Sequence, residues 1–136
     1  AAIAGVIRKI RPSEFERTFY ENVGRAIAAY FGGPGSPLED YFGEREGRRI
    51  LREFNFCDAA GNVYRMDRVV LDPDEVTVID FKTGFVSGKE RLERRDAEDR
   101  RQMRDYLNIV GEIYPGRRLR GILARIDEKR AETVES

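Results

Sequence analysis

The sequence predicts a mixed α/β protein in which helices flank a β-sheet, and three observations lead to this class. The chain has 136 residues, the length of a single domain, so residues 1–136 are expected to form one module. Two stretches carry apolar residues at helical spacing, and between them the pattern changes to short apolar strands separated by turn residues. The resulting order is helix, three strands, helix, strand, which is typical of a sheet covered by helices.

The first helix is predicted from a capping box, Ser13 with Glu16 three residues later. Five apolar residues at helical spacing give it one buried face: Phe15, Phe19, Val23, Ala26 and Tyr30. We expect the helix to end near Phe31, because glycine and proline dominate residues 32–37.

Three strands follow and are predicted to form an antiparallel meander. They cover Ile50–Phe56, Val63–Leu71 and Val76–Phe81, with turn residues at 58–61 and 72–75 between them. Both faces of the second and third strands are largely apolar, which is typical of central strands.

A second helix is predicted over Ala97–Tyr114 and a last strand over Leu119–Ile126. Before and within this helix, basic residues alternate with acidic ones: Lys89, Arg91, Arg94, Arg95, Arg100, Arg101 and Arg104. A solvated charged segment is the ordinary interpretation of such a pattern, and a flexible loop that contacts phosphates is the functional one.

The composition excludes several kinds of chemistry. The chain has no histidine and one cysteine, Cys57, so it cannot form a Ser-His-Asp triad, a histidine-bound zinc site, an internal disulfide or a Cys-ligated iron-sulfur cluster. Hydrolysis would have to use carboxylates, lysine and a hard metal ion. Basic and acidic residues number 25 each, so attraction to nucleic acid must be local. The short apolar run at residues 1–7 is neither a signal peptide nor a membrane span, and we expect a cytoplasmic protein with no membrane partner.

The second hairpin brings two aspartates together. If its loop is centred between Pro73 and Asp74, Asp67 lies directly opposite Asp80, with Cβ atoms about 4.5–5.5 Å apart. Lys82 lies on the same face as Asp80 because side chains alternate along a strand. Two carboxylates at this spacing suit a divalent ion such as Mg²⁺. The lysine would then orient a water or stabilise negative charge on a phosphate oxygen, as in metal-assisted phosphodiester hydrolysis.

Salt bridges at the end of a sheet are the alternative interpretation of these charges. Asp67 would pair with Arg65 or Arg68, and Asp80 would pair with Lys82. The apolar character of both faces shifts the balance towards a functional site, because charges in central strands are costly unless they are paired or coordinated.

The motifs around these residues resemble those of the PD-(D/E)xK nuclease superfamily, and most closely the RecB/AddA-like nuclease domain of UvrD-type helicases. Residues 65–70 (RMDRVV) resemble its first aspartate motif, and residues 78–84 (VIDFKTG) resemble its Asp-x-Lys motif. The family also has Gln-x-x-x-Tyr on the next helix, which matches Gln102 and Tyr106. These two residues lie one turn apart on one helix face. A surface amide beside a half-buried ring is their ordinary interpretation.

The resemblance implies a restriction-endonuclease-like core and a DNA nuclease that depends on Mg²⁺ or Mn²⁺. It implies that Asp67 and Asp80 bind the metal, that Lys82 is catalytic, and that Gln102 reaches the scissile nucleotide or a metal-bound water. DNA contacts are then expected from Tyr106, Arg101 and Arg104. The implied activity is of the exonuclease type, in DNA end processing, recombination or repair, with a helicase as partner and no iron-sulfur cluster. The alternative is an inactive domain of the same fold that guides DNA or docks proteins.

The sequence departs from the family pattern in the first helix. Where the family often has Gly-x-x-x-His, this chain has Gly24 followed by Ala28, so the histidine ligand is missing. Glu16 is the best-placed substitute on that helix, although a capping role suits it better, and Glu21 points away from the apolar face. Glu53 on the first strand is a further candidate metal ligand, because such domains often have glutamate there.

Overall fold

The computed structural model describes residues 5–6, 25, 33 and 35–136, and the statements below refer to these residues. They form a six-stranded sheet with one long helix. The elements are β1 (Gly5–Val6), a 3-10 turn (Glu39–Tyr41), β2 (Arg49–Cys57), β3 (Val63–Leu71), β4 (Glu75–Lys82), α1 (Lys89–Ile113), β5 (Arg118–Arg125) and β6 (Arg130–Val134).

The sheet is mixed, as expected for the α/β class. Its strands follow the chain order from β1 to β6. Neighbouring strands are antiparallel except β4 and β5, which are parallel. Parallel neighbours need a long crossover connection, and α1 supplies it. The meander and the last predicted strand are therefore confirmed, each within about two residues of its observed bounds.

The chain has two compact units. One unit consists of residues 1–9 and 47–136, which include the sheet and α1, and the other consists of residues 10–46. In the smaller unit the structure describes residue 25, which is helical and exposed, residue 33, and residues 35–46 with their 3-10 turn.

Several predictions for the first helix fall outside the described residues. These are the helix from Ser13 to Phe31, apart from Arg25, and the positions Glu16, Glu21 and Ala28. They stay predictions.

One face of the sheet forms a hydrophobic core with α1. Val76 and Val78 on β4 are completely buried in this core together with Leu107 and Val110 on α1. The opposite face of the central strands is also buried, at Val70, Thr77, Ile79 and Ile122. The prediction that these strands are central is thus confirmed.

The helix α1 lies very close to β5. A Cβ atom on Gly121 would be 2.5 Å from Cγ of Met103 and 3.0 Å from the backbone oxygen of Val134. Glycine at this position therefore lets α1 pack closely against β5.

The structure contradicts the predicted start of the second helix at Ala97 and the interpretation of the charged segment before it as a flexible loop. The ordinary interpretation, a solvated charged segment, is confirmed, because most of residues 89–96 are exposed. The helix begins at Lys89, eight residues before Ala97, so residues 89–96 are helical and do not form a flexible loop. These residues are mostly strong helix formers. Apolar periodicity could not reveal them, because in this stretch only Leu92 is an apolar residue withdrawn from solvent.

The strands β2 and β3 are kinked at Glu53 and Asp67. Leu51 and Phe54 both pack in the core under α1, although regular alternation would place them on opposite faces. In the ladder between β2 and β3, Leu51 pairs with Val69 and Phe54 pairs with Met66. Glu53 and Asp67, which lie between these two pairs, are not paired with each other. Glu53 has a φ of 49°, in the left-handed region that a non-glycine residue rarely adopts. The alternation therefore reverses on both strands at this point, and Asp67 leaves the regular ladder.

Candidate functional site

Three of the predicted site residues on the strands, Asp67, Asp80 and Lys82, meet at the end of the sheet where the parallel strands β4 and β5 terminate. Lys82 is the last residue of β4, and its partner on β5 is Arg125. Two cations side by side on parallel strands repel each other, so this end of the sheet requires carboxylates. Asp67 on β3, Asp80 on β4 and Asp99 on α1 supply them.

The register of the second hairpin is the predicted one. Leu71 pairs with Val76, and the ladder continues residue by residue to the pair of Arg68 with Ile79. The tight turn that fixes this register is closed by a hydrogen bond from the amide of Asp72 to the oxygen of Glu75, at 2.9 Å.

At the next position, the side chain of Asp67 accepts a hydrogen bond from the backbone of β4. Instead of a backbone pair with Asp80, the amide of Phe81 donates a hydrogen bond of 2.9 Å to the Asp67 carboxylate. This bond is a consequence of the kink, and it holds the carboxylate of Asp67 against that of Asp80. The predicted convergence of the two aspartates is observed.

The two aspartates interact strongly. Burial raises the pKa of Asp67, and the charge of Asp80 together with a hydrogen bond between the two carboxyl groups raises it further, to about 7. The amide of Phe81 and the ammonium group of Lys82 oppose this rise only in part. Asp80 itself is 7% exposed. In the absence of a metal ion, a proton on Asp67 therefore relieves the repulsion between the two groups.

The ammonium group of Lys82 has three neighbouring side chains at the site. Its ammonium nitrogen lies 2.9 Å from Oδ2 of Asp80 and 2.7 Å from Oε1 of Gln102, to which it donates a hydrogen bond. A third neighbour, Oδ1 of Asp99, lies 3.7 Å away. The predicted salt bridge between Asp80 and Lys82 is thus present within a larger network that includes α1.

Asp99 and Arg125 are site residues that sequence reasoning missed. Arg125 is only 2% exposed, and one terminal nitrogen of its guanidinium group donates a hydrogen bond of 2.8 Å to Asp99. The other terminal nitrogen lies 3.0 Å from Oδ1 of Asp96. Asp99 therefore bridges the two neighbouring cations, Lys82 and Arg125. Two signals were available: Asp99 precedes Gln102 by three residues on the same helix face, and Arg125 follows the apolar run of residues 122–124.

Gln102 and Tyr106 have different positions relative to the site. Gln102 is exposed and contacts Lys82, as a role at the site requires. Tyr106 is 6% exposed, its hydroxyl donates to the oxygen of Arg65 at 3.2 Å, and its ring packs edge-on against Tyr64. This placement favours a packing role for Tyr106, in which it fixes α1 on β3, over a direct contact with DNA.

Arg101 and Arg104 lie on α1 and are exposed to solvent. Their predicted contacts with DNA are untouched by this observation and stay predictions.

Glu53 stands across from Asp67, but its carboxylate is directed elsewhere. It lies 3.6 Å from the guanidinium group of Arg65. Among the described residues, no group of three or more Asp, Glu, His or Cys side chains is arranged to hold a metal ion. Of the residues predicted to bind a metal, the two that converge are Asp67 and Asp80.

This pair of carboxylates fits a divalent cation with oxygen ligands. Mg²⁺ in proteins is usually held by one or two carboxylates and keeps several waters, so a third protein ligand is not required. Burial and the charge of Asp80 raise the pKa of Asp67, and a divalent cation held by the two carboxylates would favour the ionised form of both.

A cavity of about 130 Å³ adjoins the site on the side of Arg125. Its walls carry cations and anions in equal number, among them Lys82, Arg125, Asp99 and Asp127. With balanced charges, the cavity has no evident preference for a phosphate or for a metal ion.

The comparisons with known proteins identify no relative. No family model matches the chain, and no curated protein matches it. Within the described residues, none of the helical segments combines the length and the apolar character that crossing a bilayer requires.

Proposed function

We propose that the protein is a DNA nuclease domain that depends on a divalent metal, built on a restriction-endonuclease-like core. One observation carries the proposal: Asp67 and Asp80 converge at one end of the sheet, with Lys82 beside them and Gln102 against Lys82. A buried pair of like charges is costly, and a metal ion explains why the site has both.

Each residue has a role in this proposal. Asp67 and Asp80 would hold Mg²⁺ or Mn²⁺, which when bound would polarise the scissile phosphate and lower the pKa of the attacking water. Lys82 stabilises the negative charge that develops on a phosphate oxygen. Because the oxygen of Gln102 accepts the bond from Lys82, its amide NH₂ faces away and is available to donate to DNA or to water.

Asp99 acts as a positioning residue. It is bonded to buried Arg125 and lies 3.7 Å from Lys82. It offers the ammonium group of Lys82 a counter-ion that is separate from the metal ligands. When a cation occupies Asp80, Lys82 retains Asp99 and Gln102 as partners and stays in place.

The biological setting that follows is DNA end processing, recombination or repair, with a helicase in the same protein or complex. The chain has no net charge, and the exposed Arg101 and Arg104 are interleaved with acids. Few phosphates can then be neutralised at once, so affinity for DNA should be low. A helicase partner would deliver a strand at high local concentration.

An inactive domain that guides DNA or docks proteins is the second candidate. It is favoured by the absence of a third predicted metal ligand beside Asp67 and Asp80 among the described residues, since Glu53 pairs with Arg65, and by Ala28, where the family that the sequence resembles often has histidine. Asp67, Asp80 and Lys82 argue against it, because without a catalytic demand the chain gains nothing from this costly arrangement.

Cleavage assays on variants test the proposal. We expect single-stranded or duplex DNA to be cut in Mn²⁺ and not in EDTA, and we expect Asp80→Asn and Lys82→Met to lower the rate by about 100-fold or more. Asp74→Asn is the matched control, because it makes the same change in an exposed turn at the far end of the same hairpin. Absence of cutting at every Mn²⁺ concentration, without rescue by Ala28→His, would favour the inactive domain.

A further inference from the structure

The loop that follows Lys82 presents an exposed aromatic ring. This loop, residues 83–88, connects β4 to α1 and is called the Phe85 loop below. Phe85 is 76% exposed, the highest value for a large apolar residue in the described part of the chain, and Val86 beside it is 36% exposed. A phenylalanine ring in water forgoes the stabilisation that burial would give it, and together with Val86 it forms a small exposed apolar patch close in sequence to Lys82.

The backbone of the Phe85 loop holds the ring outward. Gly84 and Gly88 enclose it, with φ angles of 95° and 94° that glycine adopts without strain. The amide of Gly84 donates to the Asp127 carboxylate, and the oxygen of Gly88 accepts the first helical bond of α1 at 3.0 Å. The loop is therefore anchored at both ends, and its tip projects between them.

The ring is close to the proposed reaction site. Phe85 follows Lys82 by three residues, so their Cα atoms are at most about 11 Å apart. That distance spans at most about three nucleotides along a DNA strand whose phosphate lies at Lys82. Lys89, at the start of α1, is also exposed and lies just beyond the loop, where it can contact a neighbouring phosphate.

The small size of the patch favours a base over a protein as its partner. Apart from Phe85 and Val86, the loop consists of Thr83, Ser87 and two glycines. A protein interface needs many contiguous residues, whereas a single ring is sufficient to stack on one base.

We propose that Phe85 stacks on an unpaired base next to the scissile phosphate, which makes single-stranded DNA, or a frayed end, the preferred substrate. This inference rests on the proposed nuclease function and adds the class of substrate. Stacking is sequence-tolerant because every base has a π-face, so we expect a preference for single strands without a preference for sequence.

The absence of tryptophan from the sequence allows a direct test. Phe85→Trp introduces a single tryptophan at the tip of the loop, and we expect a short oligodeoxyadenylate to quench its fluorescence while a blunt hairpin duplex does not. Tyr114→Trp is the control, since Tyr114 follows the last residue of α1, twelve residues beyond Gln102 and about 18 Å away along the helix axis. Quenching at both positions, or at neither, would overturn the inference.

Cleavage and binding by Phe85→Ala and Phe85→Leu separate this inference from the proposed function. We expect Phe85→Ala to weaken binding of the oligodeoxyadenylate by about 10-fold, within the range measured for aromatic stacking, and to leave duplex binding unchanged. Phe85→Leu keeps the apolar surface but should also lose affinity.

Four outcomes can be told apart. Metal-dependent cleavage with unchanged single-strand binding in Phe85→Ala would refute the stacking role and leave the nuclease intact. Quenching of Phe85→Trp without cleavage by the unmodified chain would refute the nuclease and leave the stacking role. If Phe85→Ala changes only the sedimentation of the protein, the loop is a contact between copies and the inference is wrong. If Phe85→Leu retains full affinity, the contact is merely apolar and stacking is refuted.

Discussion

Replacing Asp67 by asparagine should stabilise the protein when no metal is present. Asparagine keeps an oxygen that can accept the hydrogen bond from Phe81, and its NH₂ group can donate to Asp80. It therefore imitates the protonated form of Asp67, which the folded protein favours, and it removes one of two neighbouring negative charges.

The size and the pH dependence of this effect follow from the pKa of Asp67. Burial and the Asp80 charge raise that pKa from 3.8 to about 7 in the folded protein. The folded state thus holds its proton more tightly than the unfolded state. Stability is fully present below pH 4 and falls as the pH rises towards 7, by at most about 4 kcal/mol. Because Asp67 is partly exposed, we expect a loss of about 2 kcal/mol.

Urea unfolding in EDTA at pH 4.5 and pH 8 measures this difference. We expect Asp67→Asn to raise the free energy of unfolding by about 2 kcal/mol at pH 8 and by much less at pH 4.5, where Asp67 in the original chain is protonated. Asp74→Asn should have little effect at either pH, because Asp74 pairs with Arg118 in solvent. Destabilisation by Asp67→Asn at pH 8, or a gain of the same size at both pH values, would refute the reasoning.

Other changes at the site and in the core have defined outcomes. Asp99→Asn should lower the affinity for Mn²⁺ several-fold in calorimetry, because Lys82 without this counter-ion pairs more closely with Asp80. Asp99→Glu should restore the affinity. Unchanged affinity in Asp99→Asn would contradict the positioning role. Gly121→Ala should lower the free energy of unfolding in urea by about 1–3 kcal/mol, since its Cβ would overlap α1; an unchanged midpoint would show that the helix can move away. Tyr106→Phe should cost about 1 kcal/mol through loss of the bond to Arg65, and an effect on DNA binding alone would instead support a DNA contact.

The part of the site on the second hairpin could be predicted because local chemistry determines it. A tight turn at residues 72–75 fixes the register, and the register determines which residues face each other. The relation of Asp67 to Asp80 therefore followed from counting residues. The position of Lys82 followed from strand alternation, which is regular along β4.

The kink and the ion pairs of buried Arg125 could not be predicted, because both depend on distant contacts. Nothing in the residues around Glu53 indicates a left-handed backbone, which persists because the strands on both sides are packed in the core. Arg125 is neutralised by Asp96 and Asp99, which α1 brings from about thirty residues away in sequence.

The early start of α1 and the strand β6 were missed for a different reason. Apolar periodicity detects a helix only where the helix buries a face, and the first turns of α1 are largely solvent-exposed. The strand β6, Arg130–Val134, is a short edge strand in which Val134 is the only buried residue, so its pattern is too weak to detect.

Calorimetric titration with Mn²⁺ tests the central claim, that the aspartate pair is a metal site, most directly. We predict that the original chain and Asp74→Asn bind Mn²⁺ with the same affinity, and that Asp67→Asn and Asp80→Asn lose most of this affinity. Binding to the original chain should release a proton below pH 7, because Asp67 must ionise. If all four proteins bind Mn²⁺ equally, or if none of them binds it, Asp67 and Asp80 are not metal ligands and the account is contradicted.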